Sequence, residues 1–558
     1  MVREFTINER LDMITGSIYR TKPDIIAFSA YIWNKNEVFE IADRLKQIKP
    51  DLIIIMGGPE VSFESLKIMK NNNFIDFIIK GEGEKTLKEL LHSFYLSETL
   101  NDKEFYNKLA KIKGIVYRAE EKKICENKER PLISNLDKLP FPYTDENIKK
   151  LKNKIIYYET SRGCPFNCSY CLSSINRGVR YFSMERVKKD LLFFIRNDIK
   201  LIKFVDRTFN SNRKRTMEIF KFLVENRKET RFHFEITANL LDDEMIKYLM
   251  TVPEGLFQFE IGIQSSNLET LRLVNRRMDF KKVSKYIKSL REANNIHLHL
   301  DLIAGLPGED YNSFEKSFND VFELTPHDLQ LGFLKLLKGT AIRSDGPLHE
   351  YKYSKTTPYE VLQNKYMSYK EILELKGIED ILKKYFNSNR FEKSLEYTIK
   401  NHYPESAFAF FQELSHHFIN NGLDRRAQSQ STLYNILYDF YSKKIGEKEK
   451  IFAEYLKFDL FLNNRGVRLP DWFNMIKIPH LKEMRYNFLS NEENIKKLLP
   501  GYINMSVKEI LKRVSFEVFS INVLMAEKDS KNGDSKRPFI YLLDHTQKKA
   551  FDITDYFN

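Results

Sequence analysis

Three of the chain's four cysteines stand together, in the string YYETSRGCPFNCSYCLSS, as Cys164-x3-Cys168-x2-Cys171. A run that begins as a strand and breaks into a loop of thiols points to metal or redox chemistry. A [4Fe–4S] cluster ordinarily takes four thiolates. This loop offers three, and the remaining cysteine, Cys125, lies in a polar, lysine-rich stretch well before it. Three thiolates leave one iron without a protein ligand, open to the N and O donors of a small molecule. That is where cluster chemistry turns from electron storage to catalysis. A structural zinc site would want a fourth Cys or His close by, and the next histidine, His233, is far downstream. An electron-transfer cluster would be expected to bring a fourth cysteine.

The elements around the loop must position it. Segments 154–160, 202–206, 232–238, 256–265, 297–306 and 329–337 read as strands with helices between them. Over 153–344 they predict a partial, open (β/α)6 barrel of the TIM type, with its chemistry at the carboxyl ends of the strands. Four carboxylates, Asp206, Glu235, Glu260 and Asp301, interrupt these apolar strands. Such a carboxylate is costly unless it is paired or faces a polar cavity. At least half are expected to face a cavity, the rest pairing with arginines such as Arg207 or Arg276.

Residues 1–118 alternate apolar strands (23–33, 51–58, 75–84) with helical spacing, which predicts a small doubly wound, Rossmann-like α/β domain. Residues 119–152 are polar, with prolines flanking LPFPY, and read as a linker. Residues 345–558 read as a mainly helical domain with a few late strands at 516–524 and 537–544. Gly422 and Gly446 look like helix C-caps. The stretch EKDSKNGDSK (527–536) is expected to be a mobile loop.

A chain of 558 residues implies roughly two to four domains. The net charge of +13 raises nucleic acid as a partner, but the basic residues are scattered as on a solvated surface, and nucleic-acid binding is not expected. No apolar run approaches the roughly 18 residues of a membrane span. The amino terminus, MVREFTINERLDM, is no signal peptide, so the expected compartment is the cytosol.

Cys-x3-Cys-x-aromatic-Cys after the first barrel strand resembles the signature of radical S-adenosylmethionine (SAM) enzymes. The resemblance implies that SAM chelates the open iron. One electron, from an external flavodoxin- or ferredoxin-type reductant, then cleaves SAM to methionine and a 5′-deoxyadenosyl radical, which takes hydrogen from a substrate under anaerobic conditions. It places Tyr170 near the adenine and Asp206 near the SAM amino group. It places Glu260, Gln264 and Ile303 with ribose and adenine, counts Glu235 among the SAM-site residues, and puts Gly305, in LIAGLPGE, on the adenine side. VDRTFN departs from the glycine-rich acidic motif that the family often carries after its second strand.

Segment 23–84 resembles the cobalamin-binding domain that precedes the barrel in a large radical SAM subfamily. Ser29-Ala30-Tyr31 ends one strand, Gly57-Gly58-Pro59 the next, and GEGE (81–84) a third. This implies cobalamin beside Ser29, Tyr31, Gly57, Gly58 and Gly81. No Asp-x-His-x-x-Gly motif supplies a lower histidine ligand, a motif many such relatives also lack. The chain begins about where a second strand would, so the domain is expected to be without its first strand and helix. Residues 345–558 resemble an uncharacterised extension found on some of these proteins. The leading expectation is a cobalamin-dependent enzyme acting on a small-molecule substrate. It would transfer a methyl group to an unreactive carbon, one SAM methylating cobalt and another supplying the radical. The alternatives are rearrangement, cyclisation or oxidation without cobalamin and, from another class, a nucleic-acid-binding protein with a structural cluster. A methylthiotransferase is not expected, because no second cysteine trio precedes the barrel.

Overall fold

In a computed structural model of the chain, residues 1–557 are described except 98–102, 120–122, 176–177, 466–469, 471, 474–475 and 525–536. The loop expected at 527–536 therefore lies outside the described residues. Two compact units form, 1–317 with 331–372, and 318–330 with 373–558.

After a helix, Leu11–Tyr19, the first unit builds on parallel strands β1 (Ile25–Ser29), β2 (Ile53–Gly57) and β3 (Phe77–Ile79). Their short apolar runs suit strands covered on both faces. The helix Lys35–Ile48 turns Ile41, Ala42 and Leu45 inward. β4 (Ile115–Arg118) and β5 (Ile124–Glu126) extend the sheet antiparallel to order β1-β2-β3-β4-β5. The segment read as a linker thus begins inside this sheet. Its polar, lysine-rich sequence suits an edge strand, one side of which meets water.

After β6 (Ile155–Tyr158) comes a short antiparallel hairpin, β7 (Ser161–Cys164) and β8 (Gly178–Tyr181). The barrel then resumes with β9 (Leu201–Phe204), β10 (Arg231–Ile236), β11 (Phe257–Gln264), β12 (His297–Ala304) and β13 (Asp328–Phe333). The sheet order is β13-β12-β11-β10-β9-β6, so the six expected strands form one open sheet with β6 and β13 as edges. Its two faces differ in kind. Phe204, Phe232, Phe234, Phe257 and Phe259 are buried, and Phe220 of the helix Arg213–Glu225 packs 5.1–5.8 Å from three of them. The alternate positions carry Lys203, His233, Glu235, Gln258, Glu260, His299 and Asp301. A short pair, β14 (Lys352–Tyr353) and β15 (Val361–Gln363), follows.

The second unit is mainly helical, including Ala407–Asn420, Gln430–Lys444 and Glu449–Asn463. It ends in an antiparallel sheet of β16 (Val514–Phe519), β17 (Phe539–Asp544) and β18 (Lys549–Asp552). Gly422 and Gly446 follow two of the helices with φ of 63° and 70°, the left-handed cap expected of them.

A buried carboxyl ties the end of β11 to the helix that follows β12. Ser265 Oγ and Ser317 Oγ both donate to Glu309 Oε1, at 2.5 and 2.8 Å. Burial pushes this carboxyl up to about 7 despite the two serine donors. Its contribution to stability is therefore fully present below its ordinary 4.5 and lost as pH rises through about 7, a swing of about 3 kcal/mol. Glu309→Gln keeps an acceptor for both serines and removes the titration. Its melting temperature relative to the parent should climb between pH 5 and pH 8. Parallel pH profiles for the two proteins would refute a neutral Glu309.

Candidate active site

The cysteine loop is pinned from outside. Ser169 N–H donates to the Val274 carbonyl and the Ser169 carbonyl accepts from Ile342 N–H, both at 3.0 Å. At its start, Asp206 takes three hydrogen bonds: Oδ2 from Thr160 N–H (2.9 Å), Oδ1 from Thr160 Oγ1 (2.7 Å) and from Ser161 Oγ (2.5 Å). The result is a cavity of about 170 Å³ lined by Cys164, Cys168 and Cys171. Phe166, Tyr170 and Ser174 of the loop share it with Arg207, Thr208, Glu235, Ile236, Thr237, Glu260, Gly262, Gln264, Arg276 and Asp301. All three cysteines are free. Cys164 Sγ lies 3.4 Å from Thr208 Oγ1. Arg276 Nη1 lies 3.9 Å from Cys168 Sγ and 3.4 Å from Tyr170 Oη, and its Nη2 donates to the Gly262 carbonyl. Burial raises the Cys168 thiol, and the Arg276 guanidinium opposes that rise.

This donor set fits a [4Fe–4S] cluster with one open iron. Among the described residues no three His, Cys, Asp or Glu side chains gather closely enough for a single ion. The three thiols instead ring a shared cavity, as a cluster that takes each thiolate on a different iron requires. Arg276 supplies the counter-charge that buried thiolates need.

The strand-borne groups split by charge state. In the ladder Glu235 stands beside Glu260, Glu260 beside His299, and Gly262 beside Asp301. Glu260 Oε2 lies 2.9 Å from both His233 Nε2 and Lys203 Nζ, and these partners hold its carboxyl down at about 2 against burial. Burial raises Glu235, with Glu260 adding to the effect. Burial also raises Asp301, which has His299 Nε2 at 3.1 Å from its Oδ1. Gln264 Oε1 is buried with no hydrogen-bond partner among the described residues, an orphan acceptor of the kind a hydroxyl or amine satisfies. Against the amine, carboxylate and ribose hydroxyls of SAM, the cavity thus offers a fixed anion, two arginines and an unsatisfied amide.

Of the residues singled out in the sequence, the cavity gathers the three cysteines, Tyr170, Glu235, Glu260 and Gln264. Asp206 is not among its lining side chains; it is buried, with both oxygens turned to Thr160 and Ser161. Ile303 lies on the Asp301 face of β12 but does not line the cavity. Gly305 has φ +85°, and a Cβ there would meet Val361 at 2.9 Å. Its carbonyl accepts from Tyr351 Oη (2.8 Å) and Asn364 Nδ2 (2.9 Å). Arg276, expected to pair with a carboxylate, lies beside sulfur and phenol instead. Lys203 and His233 were passed over in the sequence. The signal for them was period two, since both share a strand face with the interior carboxylates.

Ser29, Tyr31, Gly57, Gly58 and Gly81 sit at or just beyond the carboxyl ends of β1, β2 and β3. Gly58 has φ +97°, and a Cβ there would stand 2.6 Å from the Ala30 carbonyl, so the two strand ends meet backbone to backbone. Beside them the Tyr31 ring stacks on Trp33 at 4.5 Å, and Trp33 is 60% exposed. Such glycine-lined strand ends suit a bulky nucleotide-bearing ligand.

Comparison with known proteins agrees with this geometry. Residues 3–91 match the B12 binding domain, 158–321 the radical SAM superfamily, and 348–541 a protein of unknown function (DUF4080). The chain is 28% identical over 309 residues to an uncharacterized methyltransferase of Pyrococcus horikoshii, covering 54% of this chain and 64% of that one. It is 25% identical over 346 residues to the cobalamin-dependent radical SAM methyltransferase TokK of Streptomyces tokunonensis, covering 59% of this chain and 49% of that one. It thus spans less than two thirds of the length of either relative. The structure of the radical SAM methyltransferase TsrM from Kitasatospora setae, with cobalamin and a [4Fe–4S] cluster bound, superposes with a TM-score of 0.50 at 14% identity. That match covers 62% of this chain and 73% of TsrM, a likeness of fold. Residues 158–321, the barrel with its three cysteines, thus form a radical SAM domain, with a B12 binding domain ahead of it at residues 3–91.

Proposed function

We propose that this chain is a cobalamin-dependent radical SAM methyltransferase acting on an unreactive carbon of a small-molecule substrate. The observation that carries the reading is the meeting of three free thiols, Arg276 and the orphan Gln264 amide in one cavity, in a chain that also has a B12 binding domain. The naming of TokK as a cobalamin-dependent methyltransferase supports it. When bound, the cluster and SAM supply the radical, and cobalamin supplies a metal that can carry a methyl group.

The chain's own residues do the rest. Cys164, Cys168 and Cys171 would hold the cluster, three thiolates for four irons. Arg276 offsets thiolate charge. Glu260, kept ionised by His233 and Lys203, offers a permanent anion. Glu235 and Asp301, both raised, sit beside it as the groups most easily protonated. The glycine-lined ends of β1 to β3 would take the corrinoid. We place the protein in the cytosol, where thiols stay reduced, with flavodoxin or ferredoxin as its electron donor. Among the described residues no helix is long and apolar enough to cross a membrane.

The test is anaerobic reconstitution with iron, sulfide, SAM, hydroxocobalamin and a strong reductant. The parent should bind cobalamin, seen by absorbance, and form 5′-deoxyadenosine. The Cys164→Ala/Cys168→Ala/Cys171→Ala variant should keep the cobalamin and form no deoxyadenosine. Deoxyadenosine without bound cobalamin would discard methyl transfer in favour of a rearrangement, cyclisation or oxidation.

A second outcome follows from Glu260. With its carboxyl held at about 2, Glu260 itself should add no pH dependence to SAM binding by the parent from pH 8 down to pH 5. Removing both partners, in His233→Ala/Lys203→Met, lets burial lift the carboxyl. Binding should then weaken about tenfold and fall further as pH drops. Equilibrium dialysis of SAM reads both effects, and an unchanged pH profile would remove Glu260 from the site.

A further inference from the structure

The GEGE segment, read in the sequence only for its glycine, does something else with its carboxylates. We propose that Glu82 and Glu84 are positioning residues that lock the cysteine hairpin to the B12-type domain and so fix where the cluster faces relative to the corrinoid. The inference rests on the function proposed above.

The hairpin carries a charge conflict of its own. Pairing of β7 with β8 sets Arg162 directly opposite Arg180. Like charges so placed destabilise a ladder. Glu159 meets Arg162, three residues on, at Nε (3.0 Å) and Nη2 (2.7 Å), and the other carboxylates that relieve the pair come from just beyond β3, in the other domain. Glu82 takes both ends of the Arg180 fork, Oε2 from Nη1 at 3.0 Å and Oε1 from Nη2 at 2.6 Å. Its Oε1 also lies 3.8 Å from Arg162 Nη1. Glu84 Oε1 takes Arg162 Nη2 at 2.6 Å, and Glu159 shares that nitrogen at 2.7 Å. Ile133 closes the ring, its N–H donating to Glu82 Oε2 at 2.9 Å and its carbonyl accepting from Arg180 Nη1 at 2.7 Å.

The network is stiff at both ends. The side chains of Glu82, Arg162 and Arg180 are only 16, 19 and 21% exposed, so water cannot readily replace a lost partner. Gly81, with φ +68°, sets the turn from which Glu82 departs. Gly163 has no room for a side chain, since a Cβ would stand 2.1 Å from the Gly178 carbonyl, and Cys164 pairs with Gly178 itself. Little slack remains between the carboxylate of Glu82 and the sulfur of Cys164. The bidentate Arg180 pair carries direction as well as charge, which a mere surface contact would not need.

The test uses the full-length protein loaded with cobalamin and cluster, comparing the parent with Glu82→Gln/Glu84→Gln. Two readouts serve: the rate at which a ferrous chelator strips iron, and pulsed dipolar EPR between cob(II)alamin and the reduced cluster. The double variant should lose iron about tenfold faster and show a broader cobalt-to-cluster distance distribution, with cobalamin affinity unchanged. Arg180→Lys keeps the charge but not the fork, and should fall between the two. Should the double variant fold poorly, Glu84→Gln alone, which removes only the negative charge at the Arg162 contact, should still speed iron loss two- to threefold. Parent-like iron loss and parent-like distances in the variants would overturn the proposal. A parent that holds a cluster but shows no cob(II)alamin signal would sink the underlying function and the positional claim with it, a result visible before any variant is made.

Discussion

Three thiols must face one small cavity from a loop that has almost no regular structure of its own, and the rest of the molecule is arranged around that demand. Thiolates gathered in a low-dielectric pocket repel one another, so the loop cannot hold itself in place. The neighbours do it. Ser169 is bonded to Val274 on one side and Ile342 on the other. Asp206 grips the turn at Thr160 and Ser161. Arg276 reaches in beside Cys168 and Tyr170 while bonding the Gly262 carbonyl of β11. Each anchor comes from a different part of the sequence, which makes the cavity a property of the whole fold.

The barrel meets this demand by putting its aromatic layer outside and its ionisable groups inside. Stacked phenylalanines seal the strands against their helices, and the interior is left to Lys203, His233, Glu235, Glu260 and Asp301. Charges so placed survive by pairing unevenly. Lys203 and His233 both contact Glu260, which stays ionised, while burial and a neighbouring anion raise Glu235, and raise Asp301 against its contact with His299. Register sets these neighbours: Glu260 sits between Glu235 and His299 across the sheet, and Asp301 stands beside Gly262.

What could be read from the amino acids follows from the range of the physics involved. The cysteine loop and the six barrel strands were legible because spacing and period two are local. The side of the chain that Asp206 serves was not, because a carboxylate at a strand end can turn to a cavity or back to its neighbour. Two hydroxyls far upstream, on Thr160 and Ser161, decide the matter. Arg276 was seen as a partner for some carboxylate, whereas its place beside sulfur depends on how a helix and a loop meet. The strand at Ile124–Glu126 was hidden because an edge strand and a linker share a polar composition.

The short stretch from Thr160 to Cys164 shows why division at a linker misleads about mechanics. From the barrel side, Asp206 holds its first two residues. From the amino-terminal domain, Glu82 and Glu84 hold Arg162 and its cross-strand partner Arg180. Gly163, between those grips, has no room for a side chain against the Gly178 carbonyl. The backbone leading to the first cysteine is therefore held by two domains at once. The two domains so joined fall within one compact unit although a polar segment separates them in the sequence.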